Sequence, residues 1–319
     1  MDIKSEKSKE KTLKSIYFII FIFLSAICIP NLSISTGNET GTSSGEIIDK
    51  LANDITGEIS VQDSNGTVSL EQARTWISQH PEIGRIITND RFRFTGLDYD
   101  SINALLPKDK LPVLYRLLDD EQYAPYWSNI STVIGYVSDD PNTVPVLLNY
   151  FKRDDGEKVN YMIGKIWSLA YIGKIGGKEA DSILRKAITK EGAKELAKDW
   201  LDEQLWQDKG KYANKDNVII DIQHAAIIGL LFTTKKENWK IVEDLYNQDK
   251  ETSIKKGRKT DIVSYLTEAM GLRDFLVDNN NDVKVYLRLE PMKQASAISG
   301  LYKKYRFMDN TGRLIQQEN

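Results

Sequence analysis

Four glycines constrain this chain more than any other feature. Lay the segments STVIGYVSDDPNTVPVLLNYF (131–151), WSLAYIGKIGGKEADSILRKAI (167–188) and HAAIIGLLFTTKKENWKIVEDLY (224–246) over one another at Gly135, Gly173 and Gly229. Each has an apolar helical run before the glycine, a polar turn after it, and then an amphipathic helix. The second helices carry Val144, Leu147 and Leu148, then Ala180, Ile183 and Leu184, then Trp239, Val242 and Leu245. YLTEAMGLRDFLVD (265–278) is a weaker fourth copy, and the glycines lie 38, 56 and 42 residues apart. A unit of two helices cannot bury its apolar face alone, so such a recurrence implies that neighbouring units stack on each other. The long second interval holds an extra segment, 189–217, which reads as an inserted helix and charged loop or a degraded copy.

The apolar-Gly-apolar helix end, the polar turn and the following amphipathic helix resemble HEAT repeats over roughly residues 111–277. HEAT and armadillo repeats have a period of about 40–47 residues. The resemblance implies an all-α fold, a right-handed α-solenoid of HEAT-like helix pairs. It also implies a concave groove, lined by one helix of each pair, that takes a protein or peptide partner.

The helix expected over 159–175 carries a broad apolar stripe. Val159, Met162, Ile163, Ile166, Ala170 and Gly173 form it, and Trp167 and Tyr171 widen it. The opposite side holds Tyr161, Lys165 and Ser168. Asn129, Thr132 and Tyr136 hold the matching places one pair earlier. These six residues are the candidate partner-binding groove.

The N-terminus has its own logic. Residues 1–15 bear five lysines, 16–30 are apolar and uncharged, and the stretch that follows is small and polar. That order is a secretory signal, with Ser33-Ile34-Ser35 as a cleavage site. The alternative is an uncleaved anchor at 16–30, although the run is shorter than the roughly 20 residues that span a bilayer. Lipidation at Cys28 is disfavoured by Ser25 and by the bulky Ile27. Residues 1–35 are therefore signal or anchor, and the Gly/Ser/Thr-rich 36–45 is a flexible spacer. The expected location is extracytoplasmic, with membrane contact only through the N-terminal segment. Asn31, Asn38, Asn65 and Asn129 begin glycosylation-type triplets.

Residues 46–110 read as a smaller, mainly helical region. Ser69 with Gln72 three places on is a capping box, and Leu70, Ala73, Trp76 and Ile77 share the face that follows. Residues 85–97 are less regular and suggest a short strand pair. The 278–319 tail carries Tyr302, Tyr305 and Phe307 before a turn-like Asp309-Asn310-Thr311-Gly312. It reads as a terminal hairpin or a cap on the last repeat.

Motifs that carry chemistry fail in their details. GKIGGKE (173–179) is one residue short of a phosphate-binding loop, lacks the hydroxyl after the lysine, and follows a helix instead of a strand. The bland reading is a helix end turned by glycine. His224 shares a face with Ile220, Ile227 and Leu231, which is a core pattern. His80 sits at a helix end, where a cation suits the dipole. No G-x-S-x-G occurs. The pairs Asp119-Asp120, Asp139-Asp140 and Asp154-Asp155 sit at helix junctions without metal-loop spacing. No cofactor or metal site is expected. The net charge of −3 argues against nucleic acid. KKGRK (255–259) reads as a solvated loop, or in a minority reading as a contact for anionic lipid or an acidic partner. The resulting expectation is a non-catalytic exported repeat protein that binds a protein or peptide. The alternatives are an envelope enzyme or enzyme subunit with an unrecognised site, and a membrane-anchored structural adaptor.

Overall fold

The computed structural model describes residues 68–89, 98–154, 159–201, 215–309 and 313–315. Residues 1–67, which hold the expected signal or anchor, the expected spacer and the first part of the expected N-terminal region, lie outside them. The described residues hold fourteen α-helices and no named strand. The chain divides into two compact units, 1–81 and 82–319. Residues 82–110 thus belong with the helix pairs rather than with the N-terminal region.

In the first unit the described helix is α1 (Leu70–Gln79). Its capping box forms as the spacing predicts. Gln72 N donates to Ser69 Oγ at 3.1 Å, and Ser69 N donates to Gln72 Oε1 at 2.7 Å. Ala73, Trp76 and Ile77 are buried, and the His80 ring stacks on Trp76 at 3.9 Å. The short helix α2 (Pro81–Ile87) follows. Residues 85–87 are therefore helical and not part of a strand pair; 90–97 lie outside the described residues.

The second unit continues with α3 (Tyr99–Leu105), α4 (Leu111–Leu118), α5 (Trp127–Val137), α6 (Val144–Lys152), α7 (Val159–Ile175), α8 (Lys178–Ala187) and α9 (Lys190–Leu196). It ends with α10 (Lys215–Phe232), α11 (Lys236–Lys256), α12 (Val263–Asp278), α13 (Val283–Leu287) and α14 (Pro291–Ser299). Two kinds of helix alternate. The inner helices α5, α7, α10 and α12 are apolar nearly all round; every residue from His224 to Phe232 is buried. The others show one face: α8 buries Ala180, Ile183, Leu184 and Ala187 and exposes its charges. Each inner helix packs on the next, α5 on α7, α7 on α10, α10 on α12. Each following helix, α6, α8 or α11, packs on the inner helix after it. Of the inserted segment, Lys190–Leu196 form α9, which packs on α8 and α10 with Ala193 and Leu196 buried, and Trp200 beyond it packs edge-on to Phe151 of α6.

The glycine register has a packing cause. An added Cβ at Gly135 would lie 2.4 Å from Tyr171 Cβ on the next inner helix. At Gly173 it would lie 2.0 Å from the Gly229 carbonyl oxygen. At Gly271 it would lie 2.7 Å from Tyr302. The repeated glycine marks where one backbone crosses the next layer, with no room for a side chain. The tail covers α12 through α14 and a 3₁₀ turn at Tyr302–Tyr305. It then pairs Met308 with Leu314 in an antiparallel bridge.

Candidate partner-binding surface

Of the six residues expected to line a groove, the five whose side chains are described lie in the interior. Asn129, Thr132, Tyr136, Lys165 and Ser168 are all buried. Tyr161 lies in α7, but its side chain is outside the described residues. Asn129 Nδ2 donates to the carbonyls of Ile87 at 2.7 Å and Asn89 at 3.3 Å, the C-terminal end of α2. This also removes Asn129 as an exposed glycosylation acceptor. Lys165 Nζ donates to the Arg153 carbonyl at the end of α6 and lies near the Tyr150 and Trp200 rings. Thr132 Oγ1 and Ser168 Oγ bond carbonyls of their own helices, at Ser128 and Lys165. Tyr136 packs between Tyr99 and Tyr171. The physical reason is common to Asn129 and Lys165. The last carbonyls of a helix have no partner within it, and in a stacked core the donors must come from the next layer.

The glycine-lysine run obeys the same rule. Gly176 and Gly177 take φ of 80° and 100°, a turn that favours glycine. Lys174 points back to the preceding pair. Its side chain is 4% exposed, and Nζ donates to Tyr136 O at 3.1 Å, Ser138 O at 2.7 Å and Asp139 Oδ1 at 2.7 Å. Burial lowers the Lys174 pKa against the opposing pull of Asp139. Burial alone would raise Asp139, but Lys108 and Lys174 outweigh it and hold the carboxyl at about 2. Lys178, the run's other lysine, is exposed at the start of α8. Arg153 bonds the Leu118 carbonyl in the same manner, and Gln223 that of Ile188.

Two aromatic rows run across successive layers. The first is Tyr99, Tyr136 and Tyr171, with ring centroids 5.2 and 5.8 Å apart. Burial pushes the Tyr99 and Tyr171 phenols up to about 12. The segment after α12 returns to this row. Arg288 Nε meets Asp100 Oδ1 at 2.7 Å with its guanidinium 5.7 Å from the Tyr99 ring, and buried Tyr286 packs edge-on to Phe232 and Phe275. The second row is Trp167, His224 and Tyr265, one ring each from α7, α10 and α12. Trp167 meets His224 edge-on at 5.8 Å, and Tyr265 stacks on His224 at 4.2 Å. His224 is buried, in keeping with its core pattern, while Trp167 and Tyr265 remain half-buried. Tyr265 OH donates to Asp221 Oδ1 at 3.2 Å. One turn on, burial pushes the Glu268 carboxyl up to about 8. A helical wheel of one segment does not single out this second row. Its signal is register: Trp167 and Tyr265 lie six residues before Gly173 and Gly271, and His224 lies five before Gly229.

Among the described residues no group of three or more His, Cys, Asp or Glu side chains is placed to hold a metal. No described helix is long and apolar enough to cross a membrane. No family model, no curated protein and no solved structure matches the chain.

Proposed function

We propose that this chain is an exported, non-catalytic α-solenoid of HEAT-like helix pairs that binds an extended protein or peptide segment. The observation that carries the reading is the Trp167–His224–Tyr265 row. It sets Trp167 and Tyr265, both half-buried and each six residues before its glycine, on either side of the buried His224 ring across three consecutive layers. Tryptophan and tyrosine dominate binding energy at protein interfaces because each supplies large, stiff area with a polar tip. Asp221 and the Tyr265 hydroxyl add a hydrogen-bonding rim for a peptide backbone. Layer-by-layer packing through the repeated glycines supports the solenoid reading, since each pair meets its neighbours in the chain. Export rests on the basic, apolar, small-polar order of residues 1–35.

Photo-crosslinking in the producing cell tests this. A photoreactive phenylalanine at Tyr265 of the full chain should give discrete adducts with a protein partner. The same residue at exposed Lys240 on α11 should not. Adducts at neither position, or equal adducts at both, would remove the row as the binding surface.

A further inference from the structure

The far end of α11 and the terminal hairpin form a surface that the partner-binding reading does not use. Past Tyr246, only Ser253 of α11 is buried. The helix stops at Gly257, whose φ of +63° closes the turn, and Arg258 N donates back to Ser253 O at 3.2 Å. Thr260 fixes the returning loop through Ser253 Oγ and Asp249 Oδ2. KKGRK is thus an ordered display. Lys255, Lys256 and Arg258 are exposed, and with Lys259 they form no ion pair among the described residues. Lys186, Lys190, Lys235 and Lys240 of the same unit are all paired. The half-buried Asp249 is turned inward to Thr260, and the exposed Glu251 and Asp261 form no ion pair with the loop among the described residues.

The hairpin lies beside this loop. Its base is fixed to α11 by Tyr246 OH donating to Tyr305 O at 2.6 Å and by Lys250 lying 5.8 Å from the Phe307 ring. The charges of Arg306 and Asp309 reach Lys259. Phe307 and Met308 face the core, while Leu314 and Ile315 across from them are 58% and 40% exposed. Ile254, in the last turn of α11 just before KKGRK, is 41% exposed.

We propose that this end of the molecule rests on an anionic phospholipid surface. Lys255, Lys256, Arg258 and Lys259 would meet phosphate headgroups, and Ile254, Leu314 and Ile315 would enter the headgroup–acyl boundary. The composition favours lipid over the other anionic partners. Protein interfaces are depleted in lysine and enriched in aromatics, whereas this patch is lysine-rich and its exposed apolar residues are aliphatic. Binding to single-stranded nucleic acid wants aromatic platforms for bases, and the exposed side chains here provide none. Unpaired cations around short aliphatic side chains are what an anionic bilayer surface attracts.

The test uses the full chain mixed with phosphatidylcholine vesicles, with or without phosphatidylglycerol. The apolar 16–30 segment would engage both kinds alike, so the readout is amine labelling of individual lysines by mass spectrometry. Lys255 and Lys256 should label about fivefold more slowly on the anionic vesicles, the factor expected per cation held at such a surface. High salt should restore their labelling, and Lys240 should not change. Lys255→Gln with Lys256→Gln and Arg258→Gln should abolish the protection remaining at Lys259. Leu314→Ser with Ile315→Ser should weaken protection at Lys255 while leaving the helical circular dichroism intact. Equal labelling on the two vesicle types would overturn the proposal. So would protection by soluble polyglutamate without protection by anionic vesicles, which would assign the patch to an acidic protein.

Discussion

The two aromatic rows meet at α7, which gives Tyr171 to the first and Trp167 to the second, and they differ in how much of each the rest of the chain covers. Tyr99 and Tyr136 are almost fully buried and Tyr171 is half-buried, and Arg288 of the returning segment 282–288 lies over Tyr99 at the end of their row. Trp167 and Tyr265 keep part of their surface in water. Stacking alone therefore does not decide how exposed a ring row is. In this unit the chain's own C-terminal segment meets the first row at Tyr99, and the second row is the surface we propose for a partner.

The largest expected effect sharpens that contrast. Tyr136→Ala empties a buried site and should cost about 3–5 kcal/mol, as loss of a large core ring does. Tyr265→Ala should cost less, about 1–2 kcal/mol, because part of its surface is already in water. Urea unfolding of the two variants measures the difference; equal losses would mean that the rows are not distinct. Next comes Gly173→Ala, which would disturb the second row, since Trp167 and His224 lie on the two helices that cross there. Its methyl would meet the Gly229 carbonyl oxygen, so the layers must separate, at about 2–3 kcal/mol. The midpoint of the same urea transition reads it, and a neutral substitution would contradict the close crossing.

A smaller effect tests the link between the rows through pH. Glu268 is one turn from Tyr265, and its charge reaches Tyr286 and Tyr302 of the covering tail. Its folded pKa, raised by burial to about 8 from the usual 4.5, means that the folded state keeps a proton the unfolded chain releases. Stability from this group is full below pH about 4.5 and is lost as pH rises through about 8. Glu268→Gln should therefore gain on the natural protein as pH rises through that window, and melting temperatures at several pH values would show it. The smallest effect is that of Arg288→Ala. The exposed pair with Asp100 contributes little to global stability. The substitution should speed hydrogen exchange in α3 while leaving α10 unchanged.

Much of the fold is legible in the sequence. The helix pairs follow from period and turn chemistry, the capping box at Ser69 forms, and the glycines at 173 and 229 sit where backbones cross. The candidate groove was not legible, because a wheel assigns every polar residue on an apolar helix to water. Asn129, Lys165 and Lys174 are instead donors to the carbonyl ends of neighbouring helices. The covering segment left no local sign either. The Arg288–Asp100 contact joins residues 188 apart, and nothing in either neighbourhood specifies the other. The second row had a readable sign, a ring five or six residues before the glycine, but it emerges only when the copies are compared position by position.

The most direct test of the central claim is partner retention by the full chain carrying Trp167→Ala and Tyr265→Ala together, with the partner identified by crosslinking as the probe. Two interface hot spots at about 2 kcal/mol each correspond to roughly a thousandfold loss of affinity. The second row as binding surface predicts that loss with melting lowered by only a few degrees. Retention equal to that of the natural chain would contradict it.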